Sequence, residues 1–114
     1  HYLKIIGSKT EADLVAWVNE STDRTVKGFK DPEFADGNLL IELCKSIEPR
    51  AVNQELVTAG ESEEDKILNA KYAISIARKL GAAVFLVYDD ILGLNAKMIL
   101  IFVASLYDLK SQVA

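Results

Sequence analysis

Residues 62–81 read SEEDKILNAKYAISIARKLG, and this stretch carries helix signals at both of its ends. Ser62 can cap the free backbone N–H groups of a first turn, and the acidic residues after it favour the positive end of the helix dipole. The Arg-Lys pair gives the last turn positive charge, and Gly81 is a typical C-terminal stop. Because both ends agree, the sequence predicts a helix over residues 63–80.

This predicted helix is apolar on two nearly opposite sides. One side carries Ile67, Ala70, Ala73, Ile74 and Ala77, and the other carries Leu68, Tyr72 and Ile76. The narrow polar strip between them contains Lys71, Ser75 and Arg78. A helix with two apolar sides has to be packed between other elements, which a simple helical hairpin cannot provide.

Towards the N-terminus, a one-sided helix is predicted over residues 11–21, where Thr10 can act as the N-cap. With a turn of about 100° per residue, its large apolar side chains share one face: Leu14, Trp17 and Val18. The opposite face is small or polar and includes Ala12, Ala16 and Asn19. Such a helix belongs on the outside of a bundle, with Trp17 as its buried anchor.

Another one-sided helix is predicted over residues 37–47, with Asp36 as its N-cap and Gly37 permitting close approach of a neighbour. Its apolar stripe consists of Leu39, Leu40, Leu43, Cys44 and Ile47. Pro49 ends this helix. The polar stretch before it, residues 23–35, predicts a loop with little regular structure that Phe29 and Phe34 hold to the core.

The last predicted helix covers residues 96–109, follows Asn95 as a cap and is apolar nearly all round. It and the helix over residues 63–80 should therefore be central, flanked by the two one-sided helices. The predicted fold is all-α: one compact domain over residues 1–114, with four main helices and short helical turns in its loops.

One segment favours a different fold. Val84-Phe85-Leu86-Val87 is a β-branched and aromatic run that a buried strand would also explain, and it leaves open a small α/β enzyme. No second convincing strand is present, and an unpaired buried strand would leave its backbone groups unsatisfied. We therefore discount a strand here, and the family resemblance given below implies a buried connector instead.

Composition excludes several classes of protein. The chain has 114 residues, 13 basic and 17 acidic, and its net charge of −4 argues against nucleic-acid binding. The longest apolar run, residues 98–104, is far shorter than the roughly 18 residues that span a bilayer, so no membrane partner is expected. The single Cys44 cannot form an internal disulfide, which favours a reducing, cytoplasmic setting.

The sequence contains no convincing catalytic or metal-binding set. His1 is the only histidine and is terminal, which argues against a catalytic triad or histidine metal cluster. Cys44 lies on an apolar helix face and should be a packed thiol. The acidic stretch from Asp31 superficially resembles a calcium loop, but Ala35 stands where an oxygen ligand is required and the glycine comes one place late. We predict no cofactor, no metal and no enzymatic activity.

The densest basic set consists of Lys66, Lys71, Arg78 and Lys79. Helical spacing places most of these residues on the polar strip of the predicted helix over residues 63–80. Basic side chains in such a position are more often exposed to solvent than part of a ligand-binding patch.

In their order along the chain, these features resemble the calponin-homology family. The landmarks are Trp17, Asp36-Gly37 before Leu39-Leu40, then Lys66, Asn69, Ala73, Ala77 and Leu80-Gly81, and last Asp90-Ile91 before Asn95-x-Lys97. Several stretches are similar to the last calponin-homology domain of fimbrins and plastins, among them Asn69-Ala70-Lys71-Tyr72 and residues 75–81. Trp17, Asp36, Gly37, Ala73, Ala77 and Gly81 are the residues we expect to define the fold.

The resemblance implies an actin-filament binding and bundling module of the actin cytoskeleton. In fimbrins such a domain is the second half of a tandem pair, so its expected partners are filamentous actin and the preceding calponin-homology domain. The family's edge contact from the first helix corresponds here to Ala12, Ala16, Asn19 and Glu20, which could instead pack on the partner domain. The alternative is a single calponin-homology adaptor that binds a signalling or microtubule-associated partner.

Overall fold

The computed structural model describes residues 10–113, and side chains through Lys110. The prediction for His1 lies outside the described residues. Five α-helices occur in the described range: α1 Glu11–Ser21, α2 Asn38–Ile47, α3 Glu63–Leu80, α4 Tyr88–Leu92 and α5 Ala96–Val113. Short 3₁₀ turns lie between them at Pro32–Phe34, Pro49–Ala51 and Gln54–Leu56. Residues 10–113 contain no strand, so the all-α prediction is confirmed and the α/β alternative is wrong.

Local capping explains where the helices begin and end. The Thr10 hydroxyl accepts a bond from the Asp13 N–H at 3.1 Å, and the Asp13 carboxylate accepts one from the Thr10 N–H at 3.1 Å. At α3, Ser62 accepts from the Asp65 N–H. Gly81 ends α3 with φ at 100°, a left-handed conformation that favours glycine. Hydrogen bonds between residues close in sequence thus largely set where these helices begin and end.

The start of α2 differs slightly from the predicted one. Gly37 occupies the N-cap position with φ at 78°, and the helix begins at Asn38. Asp36 still caps this end, because its carboxylate accepts a bond from the Asn38 N–H at 2.9 Å. A glycine at the N-cap has no side chain for this bond, so the residue before it supplies the acceptor.

The core is built around α5 and α2. Every residue from Ile99 to Leu106 is buried, and α5 packs against α1, α2 and α4. α2 contacts α1, α3 and α5 and holds Cys44 in the interior. Phe29 and Phe34 stack at 5.6 Å between ring centroids and fix the loop before α2 to the core. The loop over residues 23–35 is therefore anchored by two aromatic side chains, and its regular structure is the 3₁₀ turn Pro32–Phe34.

The prediction that α3 is enclosed on both sides is wrong at one position. Ala73 and Ala77 are fully buried, and Ile76 on the other side is also buried. Leu68, however, is 50% exposed, because α3 packs chiefly on α2 and α4. One stripe of α3 thus remains at the surface.

The connector between α3 and α4 is also less buried than predicted. Leu86 is 2% exposed, but Phe85 and Val87 are 59% and 57% exposed. The connector therefore attaches to the core through Leu86, with two large apolar side chains left outside.

Candidate interaction surfaces

The outer face of α1 is open to a partner. Ala12, Ala16 and Glu20 are exposed, on the side of the helix away from the buried Leu14 and Trp17. A cavity of about 250 Å³ adjoins this face between α1 and α5, and it is lined by Asp13, Ala16, Trp17, Glu20, Tyr107 and Lys110. Three of the four predicted contact residues thus lie together on an accessible surface.

Asn19 is the fourth, and the prediction that it faces outward is wrong. Its side-chain amide donates to the Val26 carbonyl at 3.1 Å, and its oxygen accepts from the Val26 N–H at 2.8 Å. This pair of bonds ties α1 to the loop before α2, where Val26 is buried. Helical phase alone missed this role, because the partner lies seven residues away in a loop.

Replacing Asn19 by Ala should therefore destabilise the fold. The change leaves a buried backbone N–H and C=O of Val26 without their partner, at a cost of about 1–3 kcal/mol. Thermal unfolding followed by helical circular dichroism measures this cost, with Ala16→Ser on the exposed face as the control. Equal melting temperatures for both variants would contradict the structural role of Asn19.

A second surface lies between α3 and the connector. A groove of about 390 Å³ runs there, and it is lined by Lys71, Ile74, Ser75, Arg78, Lys79, Leu86, Val87 and Tyr88. The Lys71 Nζ sits 4.9 Å from the centre of the Tyr88 ring, a cation–π contact. Three members of the predicted basic set thus meet in one groove, whereas Lys66 is not part of its lining.

Two side chains considered as candidates for catalysis or metal binding, Cys44 and Asp31, have pKa values shifted by their surroundings. Burial raises the pKa of the Cys44 thiol to about 12, so the thiolate needed for nucleophilic attack is scarce at neutral pH. The Asp31 carboxylate accepts the N–H groups of Glu33 and Lys27, which lower its pKa. No cluster of histidine, cysteine or carboxylate side chains in the described range could hold a metal ion. No helix within residues 10–113 has the length and apolarity to cross a membrane.

The described residues thus form a helical bundle with two accessible surfaces, the outer face of α1 and the groove between α3 and the connector. The chain belongs to the calponin-homology family, since the calponin homology (CH) domain profile matches residues 8–112.

Fimbrins and a plastin are among its relatives. The chain is 46% identical over 102 residues to Fimbrin-5 of Arabidopsis thaliana, covering 85% of this chain and 15% of that protein. It is 36% identical over 107 residues to Plastin-3 of Danio rerio, covering 88% of this chain and 17% of the relative. The chain therefore spans about one sixth of these relatives.

The fold has a counterpart in a crystal structure of the actin-crosslinking core of Schizosaccharomyces pombe fimbrin. The two superpose with a TM-score of 0.82 at 34% identity, over 90% of this chain and 23% of that one. The prediction of a calponin-homology domain of fimbrin type is confirmed.

Proposed function

We propose that this domain is the second half of a tandem CH pair that binds and bundles actin filaments in the cytoplasmic actin cytoskeleton. The proposal rests on the structural match to a fimbrin actin-crosslinking core. The matched region is 23% of the chain in that structure, so the core extends well beyond a single CH domain. The domain works by surface contact and performs no bond chemistry. Its partners are filamentous actin and the preceding CH domain.

The outer face of α1 supports this proposal as a contact surface. Ala12 and Ala16 are small and exposed, so a partner can approach the helix backbone closely without displacing large side chains. Glu20 adds a charge at the end of the same face. Such a narrow face contributes modest affinity by itself, which agrees with a supporting role beside a neighbouring domain.

Co-sedimentation with filamentous actin tests the proposal. We expect a longer chain that also carries the preceding CH domain to pellet with filaments, and the 114-residue chain alone to pellet only weakly. Strong pelleting of the single domain would make α1 the leading contact site. If neither pellets, the actin assignment is wrong and the adaptor function, with a signalling or microtubule-associated partner, takes its place.

Matched variants of the longer chain locate the contact. Ala12→Glu with Ala16→Glu adds two charges to the outer face of α1 and should weaken filament binding by about tenfold. Gln54→Glu with Ala59→Glu adds the same charges at exposed positions outside both surfaces. Equal weakening by both pairs would point to nonspecific charge repulsion and not to contact through α1.

A further inference from the structure

The groove between α3 and the connector is positively charged in a chain of net charge −4. Its lining includes Lys71, Arg78 and Lys79 and no carboxylate. Neither Arg78 nor Lys79 pairs with an acidic side chain in the described part of the chain. A groove with an excess of positive charge and no carboxylate in its lining is electrostatically complementary to an acidic ligand.

The connector that forms the other wall is apolar. Burial alternates along it, with Ala83, Phe85 and Val87 exposed, Leu86 buried and Val84 partly buried. An alternation with a period of two is typical of an extended chain, and Val87 has extended backbone angles of φ −116° and ψ 170°. The side chains of Phe85 and Val87 therefore stand on the same, exposed side of the connector, and Val87 also borders the groove.

Part of the connector is accessible for pairing, at the exposed residues Ala83 and Phe85, whereas Leu86 is buried. Within residues 10–113, no hydrogen bond involves the backbone of residues 83–86, whereas the N–H of Val87 donates to the Asp90 carboxylate at 3.0 Å. An extended segment with unpaired N–H and C=O groups can hydrogen-bond a peptide laid alongside it, as the edge strand of a sheet does.

We propose that the groove binds an extended peptide segment in which acidic and apolar side chains alternate. The peptide backbone pairs with the exposed residues Ala83 and Phe85 of the connector. Because paired strands place neighbouring side chains on the same face, its apolar residues lie beside Phe85 and Val87. Its acidic residues then point into the groove, towards Lys71 and Arg78.

Fluorescence anisotropy with the 114-residue chain and a labelled Val-Glu-Val-Glu-Val-Glu-Val peptide tests this proposal. Arg78→Glu with Lys79→Glu should weaken binding by at least about tenfold, because two attractive charges become repulsive. Lys27→Glu with Lys30→Glu makes the same charge change at exposed positions away from the groove and should alter binding by less than about twofold. Circular dichroism shows whether every variant remains helical.

Backbone pairing is tested with two N-methylated versions of the peptide, one methylated at odd positions and the other at even positions. A strand paired along one edge uses alternate N–H groups, so one version should lose binding and the other keep it. Equal binding by both versions would overturn strand pairing. Absence of binding by the parent peptide, or equal weakening by the two charge-reversal pairs, would overturn the proposed site.

Discussion

Trp17→Ala should lower the free energy of unfolding by about 3–5 kcal/mol, a large share of the stability of a domain of this size. Trp17 is 5% exposed and directs one ring against Tyr107, with centroids 5.4 Å apart and planes at 83°. This edge-to-face contact joins α1 to α5. Truncation would remove the largest side chain of that junction and leave a cavity beside Leu14 and Val18, which the one-sided α1 cannot refill.

Urea unfolding monitored by helical circular dichroism measures this loss, and Trp17→Phe is the informative control. Within the described residues the Trp17 Nε1–H is buried without a hydrogen-bond partner. Trp17→Phe therefore loses buried ring area but no hydrogen bond. It should lower the free energy of unfolding much less than Trp17→Ala does. An unchanged midpoint for Trp17→Ala would show that α1 is not anchored through this side chain.

The features that sequence predicted well are those fixed by nearby residues. Thr10 and Asp13 cap each other within one turn, and Ser62 and Gly81 mark the two ends of α3 in the same short-range way. The long apolar run of α5 could be assigned to the interior because few surface helices tolerate it. Capping residues and hydrophobic periodicity are therefore enough to predict the main helices and the class of fold.

The features that sequence predicted poorly depend on distant partners. Asn19 looks like a surface residue on a helical wheel, and only the position of Val26 makes it structural. Leu68 and Phe85 have the character of core residues, but no element covers them in the described range. Periodicity shows which apolar side chains share a face of an element. It does not show whether a neighbouring element covers that face.

Asn69 shows how such distant contacts organise the loops. It is fully buried in α3, where its oxygen accepts from the Thr58 N–H at 2.9 Å and its amide donates to the Asp36 carbonyl at 3.0 Å. One side chain thus holds both the loop before α2 and the loop before α3. Sequence marked Asn69 as a family landmark, but its two loop partners became evident only from the structure.

The same junction gives Gly37 its importance, and Gly37→Ala should cost about 3 kcal/mol or more. A Cβ on Gly37 would lie 2.8 Å from the Ala70 backbone nitrogen and 2.8 Å from the Asn69 Cβ. Both contacts belong to the rigid backbone region of α3, so no flexible side chain can move aside. Its φ of 78° adds strain for any residue with a Cβ. The two helices would have to separate, which would also stretch the bond from Asn69 to Asp36.

Gly28→Ala is the matched control for this prediction. At Gly28 the nearest heavy atom to a new Cβ is a carboxylate oxygen of Glu11 at 3.8 Å, and the backbone is not in the left-handed region. Alanine there should change stability by less than about 1 kcal/mol, because it makes only ordinary van der Waals contact and reduces the freedom of the unfolded chain. Thermal unfolding of both variants measures this difference in stability. Similar melting temperatures would mean that the contact between α2 and α3 does not require a residue without a Cβ at Gly37.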